Sequence, residues 1–438
     1  MSNDTVLSEE HTIGIETFFN PIPGIGGKLR KTPEGFSVEE LFSERFPTGD
    51  GPFSIARITA VNWETHHLID AISSQLHISQ KRISFAGTKD KRARTTQFFS
   101  FYKVPEDRIR AIDLKDISID EIITAPRPLR LGDLKGNRFD IMIHDILPRT
   151  NKKTLHGLFQ TFLDAGGFPN FFGVQRFGVI RPITHEVGKH MVNGDFELAV
   201  MTYLVDIYEA EDVESREARS HLFNSHDFNQ ALQEFPRHLS FERSMIAHLV
   251  THPDDYLGAL NQLPNNLITM FVYAFQSYLF NRMLSRRIKE NIPIHQAIVG
   301  DVILPVRSGS ITQEYIPVNQ DNIKKINQQL ARHHAYVSGV LVGSNTVLSK
   351  GKMGKIEQDI IDEESIDQRN FIIPELMMAS SYGTRRAFFA PLHHLSYDLK
   401  DKKNESSLSL QVQFDLLKGC YATSFLREIM KSDSIYSY

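Results

Sequence analysis

Both ends of this chain carry the alternation of apolar and polar residues that is typical of half-buried β-strands, whereas its middle carries a helical period. The clearest alternation runs over residues 408–414 (LSLQVQF). A similar pattern at 395–399 (LSYDL), with the polar segment 401–407 between the two, predicts a β-hairpin with one buried face. Residues 36–38 and 139–143 repeat the alternation near the N-terminus.

Helical spacing of apolar residues predicts an amphipathic helix over 65–78 and a much longer one over 267–288. In the second helix the cations Arg282, Arg286, Arg287 and Lys289 fall in the last turns, where they suit the helix dipole. Strand-rich ends around a helical middle predict an α+β protein in which one domain is interrupted by an inserted one. We read residues 1–15, which are polar and acidic, as a flexible tail.

The composition excludes several classes of protein. The 438 residues are 41% hydrophobic and 23% charged, which predicts a globular chain rather than a disordered one. A single cysteine, Cys420, leaves no internal disulfide framework and fits a reducing cytosol. The longest apolar run, 267–280, is shorter than the roughly 20 residues that span a bilayer. We therefore predict a cytoplasmic protein with no membrane partner.

Charge is segregated along the chain although Lys plus Arg (49) and Asp plus Glu (53) nearly cancel. Six basic residues and one acid lie within 81–94, and a second basic stretch covers 127–138, whereas acids collect at 206–217 and 357–367. Each run alone could be a solvated face. Two basic runs in one half of the chain favour a site for a polyanion.

No metal or nucleotide motif is supported. His185 and His190 resemble a zincin helix, but the second histidine follows at i+5 rather than i+4, so the two would not share a face. The glycines at 343–354 do not fit a phosphate-binding loop, and Gly24–Gly27 precedes no Rossmann-like unit. We predict no metal site.

The segment 85–97 (FAGTKDKRARTTQ) is different because it places Asp90 between Lys89 and Lys91 after a short strand. Neighbouring cations favour an ionised carboxylate, which can act as a nucleophile, and the same cations attract the phosphates of a nucleic acid. The alternative of a loop in which the aspartate only offsets local positive charge stays open on this pattern alone.

Six blocks in order carry a family resemblance. Residues 87–97 resemble the signature of the TruD family of tRNA pseudouridine synthases, and five further blocks are similar to other motifs of that family, in its order. These blocks are 33–39 (PEGFSVE), 131–139 (LGDLKGNRF), 169–178 (PNFFGVQRFG), 276–281 (QSYLFN) and 419–428 (GCYATSFLRE). The sequence of residues 63–67 (WETHH) is more similar to archaeal members of the family than to bacterial ones.

The resemblance implies a discontinuous pseudouridine-synthase catalytic domain, with a mixed sheet flanked by helices, over 16–166 and 373–438. An inserted α/β domain of the TRUD type would cover 167–372. The implied reaction converts a uridine of folded tRNA, at position 13, into pseudouridine by an isomerase that uses no cofactor. The uracil would have to be flipped into an aromatic pocket.

The resemblance also implies the site residues. Asp90 matches the catalytic aspartate, as nucleophile or base, while Arg30 would lie beside it and Glu34 would be an acidic partner. Substrate-binding positions would be Asn137, Phe139 and Tyr421, of which the two aromatics could also be plain core residues and Asn137 a turn residue. Gly35 stands where the family usually has Asp, and Arg30 stands where many bacterial members have Lys. Because Arg and Lys are not interchangeable, these departures affect the expected geometry around Asp90 but not the expected reaction.

The predicted RNA contacts are the cations Lys89, Lys91, Arg92, Arg94 and Arg176. We expect tRNA as the partner and a monomer without protein partners, since no heptad pattern is present. Two other classes of protein fit the sequence less well. An RNA-binding protein without catalysis would have no need of Asp90, and a glycosidase-like enzyme would need a second carboxylate, for which Glu34 is the only obvious candidate.

Overall fold

The computed structural model describes residues 6–42, 46–89, 91–130, 133–307, 310–400 and 408–437. By their contacts the residues divide into two compact units. One, here called the sheet unit, comprises Asn20–Phe168 and Ala390–Tyr438; the other, the helical unit, comprises Thr5–Phe19 and Pro169–Phe389. The predicted domain bounds, with a tail over 1–15, a catalytic domain over 16–166 and 373–438 and an insertion over 167–372, stay a prediction.

The strands of the described chain lie before residue 170, between residues 302 and 341, and after residue 383. They are β1 (Phe36–Leu41), β2 (Phe53–Val61), β3 (Ile83–Phe85), β4 (Arg94–Tyr102), β5 (Ile117–Ala125), β6 (Gly136–Ile146), β7 (Gly167–Pro169), β8 (Val302–Arg307), β9 (Ser310–Ile311), β10 (Ile316–Pro317), β11 (Ala335–Leu341), β12 (Thr384–Ala387), β13 (Phe389–Pro391), β14 (His393–Lys400) and β15 (Leu408–Leu417).

The α-helices concentrate between residues 184 and 363. They are α1 (Ser8–Thr12), α2 (Thr65–Gln75), α3 (Glu106–Arg110), α4 (Lys152–Ala165), α5 (Thr184–Asn193), α6 (Phe196–Val205), α7 (Val213–Ser225), α8 (Phe228–Glu234), α9 (Ser240–Thr251), α10 (Tyr256–Leu260), α11 (Asn265–Lys289), α12 (Ile323–Ala331), α13 (Gly351–Glu363) and α14 (Ala422–Met430).

The sheet unit is built on one mixed sheet with the order β14-β15-β6-β1-β4-β2-β5, and β3 pairs with β4. β1 runs parallel to β4, whereas β6 runs antiparallel to both β1 and β15. The antiparallel pairing of β14 with β15 confirms the predicted hairpin, while its turn, 401–407, lies outside the described residues. Mixed sheet and helices together confirm the α+β prediction.

One face of this sheet is covered by helices. Ile58 of β2 and Phe99 of β4 form a buried cluster with Leu68 and Ile72 of α2, the predicted amphipathic helix. The helix begins at Thr65 because the Glu64 side chain accepts hydrogen bonds from the next two backbone N–H groups, which a helix leaves without internal partners. The packing of α2 therefore fixes the position of its first residue against the sheet.

The helical unit is organised around α11, the predicted long helix, which is buried over most of its length. A second sheet in this unit has the order β10-β8-β11-β12, with β9 on β8. The guanidinium of Arg287, in the last turn of α11, forms two hydrogen bonds with Asp301 at 2.7 and 2.8 Å, and both side chains are 0% exposed. Arg287 also donates to the carbonyl of Pro293, so α11 is tied to the segment that follows it.

We expect Asp301→Ala to lower the free energy of unfolding of the helical unit by about 3–5 kcal/mol, because it leaves the buried Arg287 cation without its counter-ion. Urea denaturation followed by circular dichroism measures the change. The double variant Arg287→Met/Asp301→Leu removes both charges and is expected to lose much less. Equal losses in the single and double variants would contradict this explanation.

Candidate active site

The loop that carries the predicted aspartate joins β3 to β4. Asp90 itself lies outside the described residues, but Gly87 and Lys89 before it and Lys91 after it are described. The loop starts at the end of a strand that is hydrogen-bonded to β4 and returns directly into β4 at Arg94. Its two ends are therefore fixed by the same strand.

A buried carboxylate lies beneath this loop. The side chain of Glu40, in β1, is 0% exposed and forms an ion pair with the Nζ of Lys89, at 2.5 Å from Oε1. Its other oxygen, Oε2, accepts the backbone N–H of Phe98 at 2.9 Å, and Gln97 Nε2 donates to Oε1 at 3.4 Å. A charge so deeply buried needs such partners, because an unpaired one would cost several kcal/mol.

Two neutral side chains fix the backbone of the same loop. Gln97 Nε2 donates to the carbonyl of Gly87 at 2.8 Å, and the N–H of Lys89 donates to Thr65 Oγ1 at 2.8 Å. The Thr65 hydroxyl in turn donates to Gln97 Oε1 at 3.2 Å. Glu40, Thr65, Lys89 and Gln97, here called the clamp, thus form one connected set of hydrogen bonds.

The register of the sheet brings two predicted substrate-binding residues to the clamp. Asn137 of β6 is the direct partner of Glu40, and Phe139 is the partner of Val38. Alternate residues of a strand share a face, so Glu40, Asn137 and Phe139 point to the same side of the sheet. Gly136 precedes them at a close approach, because a Cβ there would lie 2.0 Å from the carbonyl oxygen of Leu416.

Asn137 has an open hydrogen-bonding position. Its Oδ1 atom is buried and has no hydrogen-bond partner among the described residues. A buried polar atom left unsatisfied costs about 1–3 kcal/mol, so an oxygen in this state beside the clamp is suited to accept a hydrogen bond from a ligand. Phe139 is only 8% exposed, and its ring stacks on Phe414 with 5.2 Å between centroids.

The other predicted site residues, Arg30, Glu34 and Tyr421, lie in turns and at element ends of the sheet unit. Arg30 has a positive φ of 56°, and its guanidinium lies 4.4 Å from the ring centroid of Phe36, at the start of β1. Glu34 is exposed in a single 3₁₀ turn, Pro33–Gly35. Tyr421 is half-buried at the N-cap of α14, just after β15.

The predicted RNA-contacting cations fall into three groups. Lys91, Arg92 and Arg94 are exposed, and within the described ranges none of them forms an ion pair. Lys89 differs from them, because its side chain is only 10% exposed and is held by Glu40. Arg176 belongs to the helical unit, where its guanidinium lies over aromatic rings and Nε donates to a serine hydroxyl.

Around β1, β6 and β15 the opposite face of the sheet is polar, and it holds a cavity of about 360 Å³ there. Asp415 of β15 is central to it, because Arg138 donates to both of its oxygens at 2.9 and 3.0 Å and His394 Nδ1 lies 2.8 Å from one of them. Burial raises the pKa of Asp415, but these hydrogen bonds and charges outweigh it and hold the pKa below its ordinary value.

Neither a metal centre nor a membrane span is found in the part of the chain that the structure describes. Groups of three or more His, Cys, Asp or Glu side chains with metal-binding geometry are absent from it. His185 is buried among aromatic rings beside Tyr278. Within the same ranges we find no helix with the length and hydropathy that crossing a membrane requires.

The fold is similar to that of a protein of known structure. A crystal structure from Methanosarcina mazei, described as a "Putative tRNA pseudouridine synthase D (TruD)", superposes with a TM-score of 0.90 at 36% identity, and the match covers 99% of this chain and 100% of that one. This match confirms the predicted fold class, a pseudouridine-synthase catalytic domain with an inserted domain.

The sequence matches the family model for tRNA pseudouridine synthase D (TruD) over residues 12–429. Relatives named "Probable tRNA pseudouridine synthase D" include one from Methanococcoides burtonii, 39% identical with 99% of both chains covered. Another, from Archaeoglobus fulgidus, is 36% identical over 97% of this chain and 99% of its own. The chain therefore belongs to the TruD family, and the predictions of that family and of an enzyme of the isomerase class are confirmed.

Glu40, Thr65, Gln97 and Asp415 had no role predicted from the sequence, although Thr65 and Gln97 lie within the segments 63–67 and 85–97. A signal for the first was present, because Glu40 continues the alternation of Phe36 and Val38 and so places a carboxylate on the buried face of a strand. A buried acid in such a position predicts a cationic partner, although the alternation does not say which one.

We expect Asp415→Asn to destabilise the protein near neutral pH and to matter less in acid. Since the pKa of Asp415 is lowered in the folded state, its contribution to stability is present above the ordinary aspartate pKa of about 3.9 and is lost as the pH falls through the folded-state value. Urea unfolding of wild type and variant between about pH 6 and about pH 3 measures this. A deficit of the same size across that range would contradict the assignment.

Proposed function

We propose that this protein converts the uridine at position 13 of folded tRNA into pseudouridine, with Asp90 as nucleophile or base and without a cofactor. The observation that carries the proposal is the match to the TruD family over residues 12–429, which includes Asp90. The sheet unit supports it with a clamp on the residues that precede Asp90 and an unsatisfied amide oxygen on Asn137 beside that clamp.

The reaction is an isomerisation and needs no outside reagent. The N1–C1′ bond of the uridine breaks, the uracil rotates, and a C5–C1′ bond forms; C5 loses its proton and N1 gains one. A carboxylate at Asp90 can act at the ribose carbon or as a base, and both routes conserve atoms and charge. Arg30 would lie beside this carboxylate and Glu34 would be its acidic partner.

The uracil has to leave the RNA stack to be reached, at a cost of a few kcal/mol. Stacking on an aromatic ring returns about 1–3 kcal/mol per base, and we propose Tyr421 for the stacking contact and Phe139 for a second contact with the base. Because Phe139 is 8% exposed and already stacked on Phe414, its contact would be made through the ring edge, whereas Tyr421 is half-buried. Asn137 Oδ1 would accept a hydrogen bond from the N3–H of uracil.

The exposed cations would hold the RNA backbone. Lys91, Arg92 and Arg94 follow Asp90 directly and have no ion-pair partners in the described ranges, so their charge is available to phosphates. Arg176, in the helical unit, is proposed as a further contact. We also propose that the protein acts in the cytoplasm as a monomer, in keeping with its single cysteine and the lack of a heptad pattern.

The direct test is tritium release from tRNA transcript labelled at uracil C5. Wild type is expected to release tritium, whereas Asp90→Ala and the isosteric Asp90→Asn are expected to lose release by at least about 10³-fold because the reacting carboxylate is gone. Binding of the same tRNA, measured in parallel, should stay within a few-fold of wild type.

Two results would contradict the proposal. Tight binding by wild type without release from any tRNA would favour an RNA-binding protein that does not catalyse. Release that survives in both Asp90 variants would retain the reaction but move the catalytic role to another residue. A transcript in which position 13 is not uridine tests the site of modification.

Replacing the exposed arginines should weaken binding in a salt-dependent way. Arg92→Ala and Arg94→Ala are each expected to lower the slope of log binding constant against log salt concentration by about 1, as loss of one phosphate contact does. Arg110→Ala is the control, because Arg110 is ion-paired with Glu106 in α3. Unchanged slopes for both loop variants would exclude them as phosphate contacts.

A further inference from the structure

We propose that Lys89 acts as a positioning residue, which with Glu40, Thr65 and Gln97 fixes the backbone that leads into Asp90, rather than as an RNA contact. The inference rests on the proposed function, because it concerns the geometry of that reaction. It also reverses the role that the sequence suggests for Lys89, which lies in a run of cations next to exposed ones.

The ammonium group of Lys89 already forms an ion pair within the protein. Its Nζ atom lies 2.5 Å from Oε1 of Glu40, and the two side chains are 10% and 0% exposed. Because the Lys89 side chain is so little exposed, a phosphate that drew this ammonium group out to the surface would leave the fully buried carboxylate unpaired in the interior. Lys91, two residues later, is exposed and carries no such constraint.

The clamp fixes the loop at three points. The Lys89 side chain is held by Glu40, the Lys89 N–H by Thr65 Oγ1, and the Gly87 carbonyl by Gln97 Nε2. Each of these three partners is itself held: Glu40 by the N–H of Phe98, and Thr65 and Gln97 by each other. The main chain immediately before Asp90 therefore has little freedom to move.

Rigid placement of a reacting group matters more for the chemical step than for binding. A displacement of about 1 Å from the productive geometry can cost on the order of 10²-fold in rate, whereas tRNA affinity depends on many separate phosphate contacts. Loss of the clamp should thus lower kcat and leave KM nearly unchanged. Loss of a phosphate contact should raise KM and leave kcat nearly unchanged.

The first experiment compares Lys89→Met with its matched control Lys91→Met, using tritium release at varied tRNA concentration. Lys89→Met is expected to lower kcat by about 10- to 100-fold with less than about a twofold change in KM. Lys91→Met is expected mainly to raise KM and to reduce the salt dependence of tRNA binding. If Lys89→Met raises KM and reduces that salt dependence like Lys91→Met, Lys89 is an RNA contact and the inference is wrong.

A second pair of variants tests the clamp without changing any charge. Thr65→Val removes the acceptor for the Lys89 N–H and the donor to Gln97, while Thr65→Ser keeps both. Thr65→Val is expected to lower kcat at least about tenfold at unchanged KM, and Thr65→Ser to retain the wild-type kcat within about twofold. Equal kcat values in the two variants would overturn it.

A double variant separates positioning from stability. Lys89→Met/Glu40→Gln removes both charges, so its melting temperature should recover relative to Lys89→Met, while kcat stays low because the loop still lacks its side-chain attachment to β1. Recovery of kcat together with melting temperature would show a merely structural role and overturn the inference. If wild type itself releases no tritium, the proposed function has failed; if wild type is active and the variants behave otherwise than stated, only the inference has failed.

Discussion

The parallel pairing of β1 with β4, with β6 antiparallel on the other side of β1, is the constraint on which the site depends. In this register Glu40, Gln97 and Asn137 come from three strands and meet at one end of the sheet, on one face. Because side chains alternate along a strand, a slip of one residue in β1 would turn Glu40 to the opposite, polar face and leave Lys89 without a partner. Correct strand register and a correctly shaped site are therefore the same requirement.

The two faces of this sheet each hold a carboxylate, but the two carboxylates differ in their partners. On the helix-covered face, Glu40 is buried and needs a complete set of hydrogen bonds, so any change to its partners is costly. On the other face, Asp415 lies beside a cavity and is shared by Arg138 and His394, which water can partly replace. The predicted pocket residues Asn137 and Phe139 point to the same face as Glu40.

Much of the fold could be predicted from local patterns. Alternation predicted the hairpin of β14 and β15, and apolar spacing predicted α2 and α11, because in each case the pattern records which face is buried. The family could be predicted because six motifs occur in order. The role of Lys89 could not, since a cation in a basic run looks the same whether its partner is a phosphate or a carboxylate 49 residues away in sequence.

The spacing of the clamp along the chain has a consequence for biogenesis. Its members lie at positions 40, 65, 89 and 97, and the hydrogen bond from Gln97 to Glu40 spans 57 residues. Such non-local contacts form only once the loops between them have closed, so the clamp is complete only after β1, α2 and β4 have come together. The cations of 91–94 follow one another in the sequence and are present in any state of the chain. The clamp, by contrast, exists only where β1, α2 and β4 have come together.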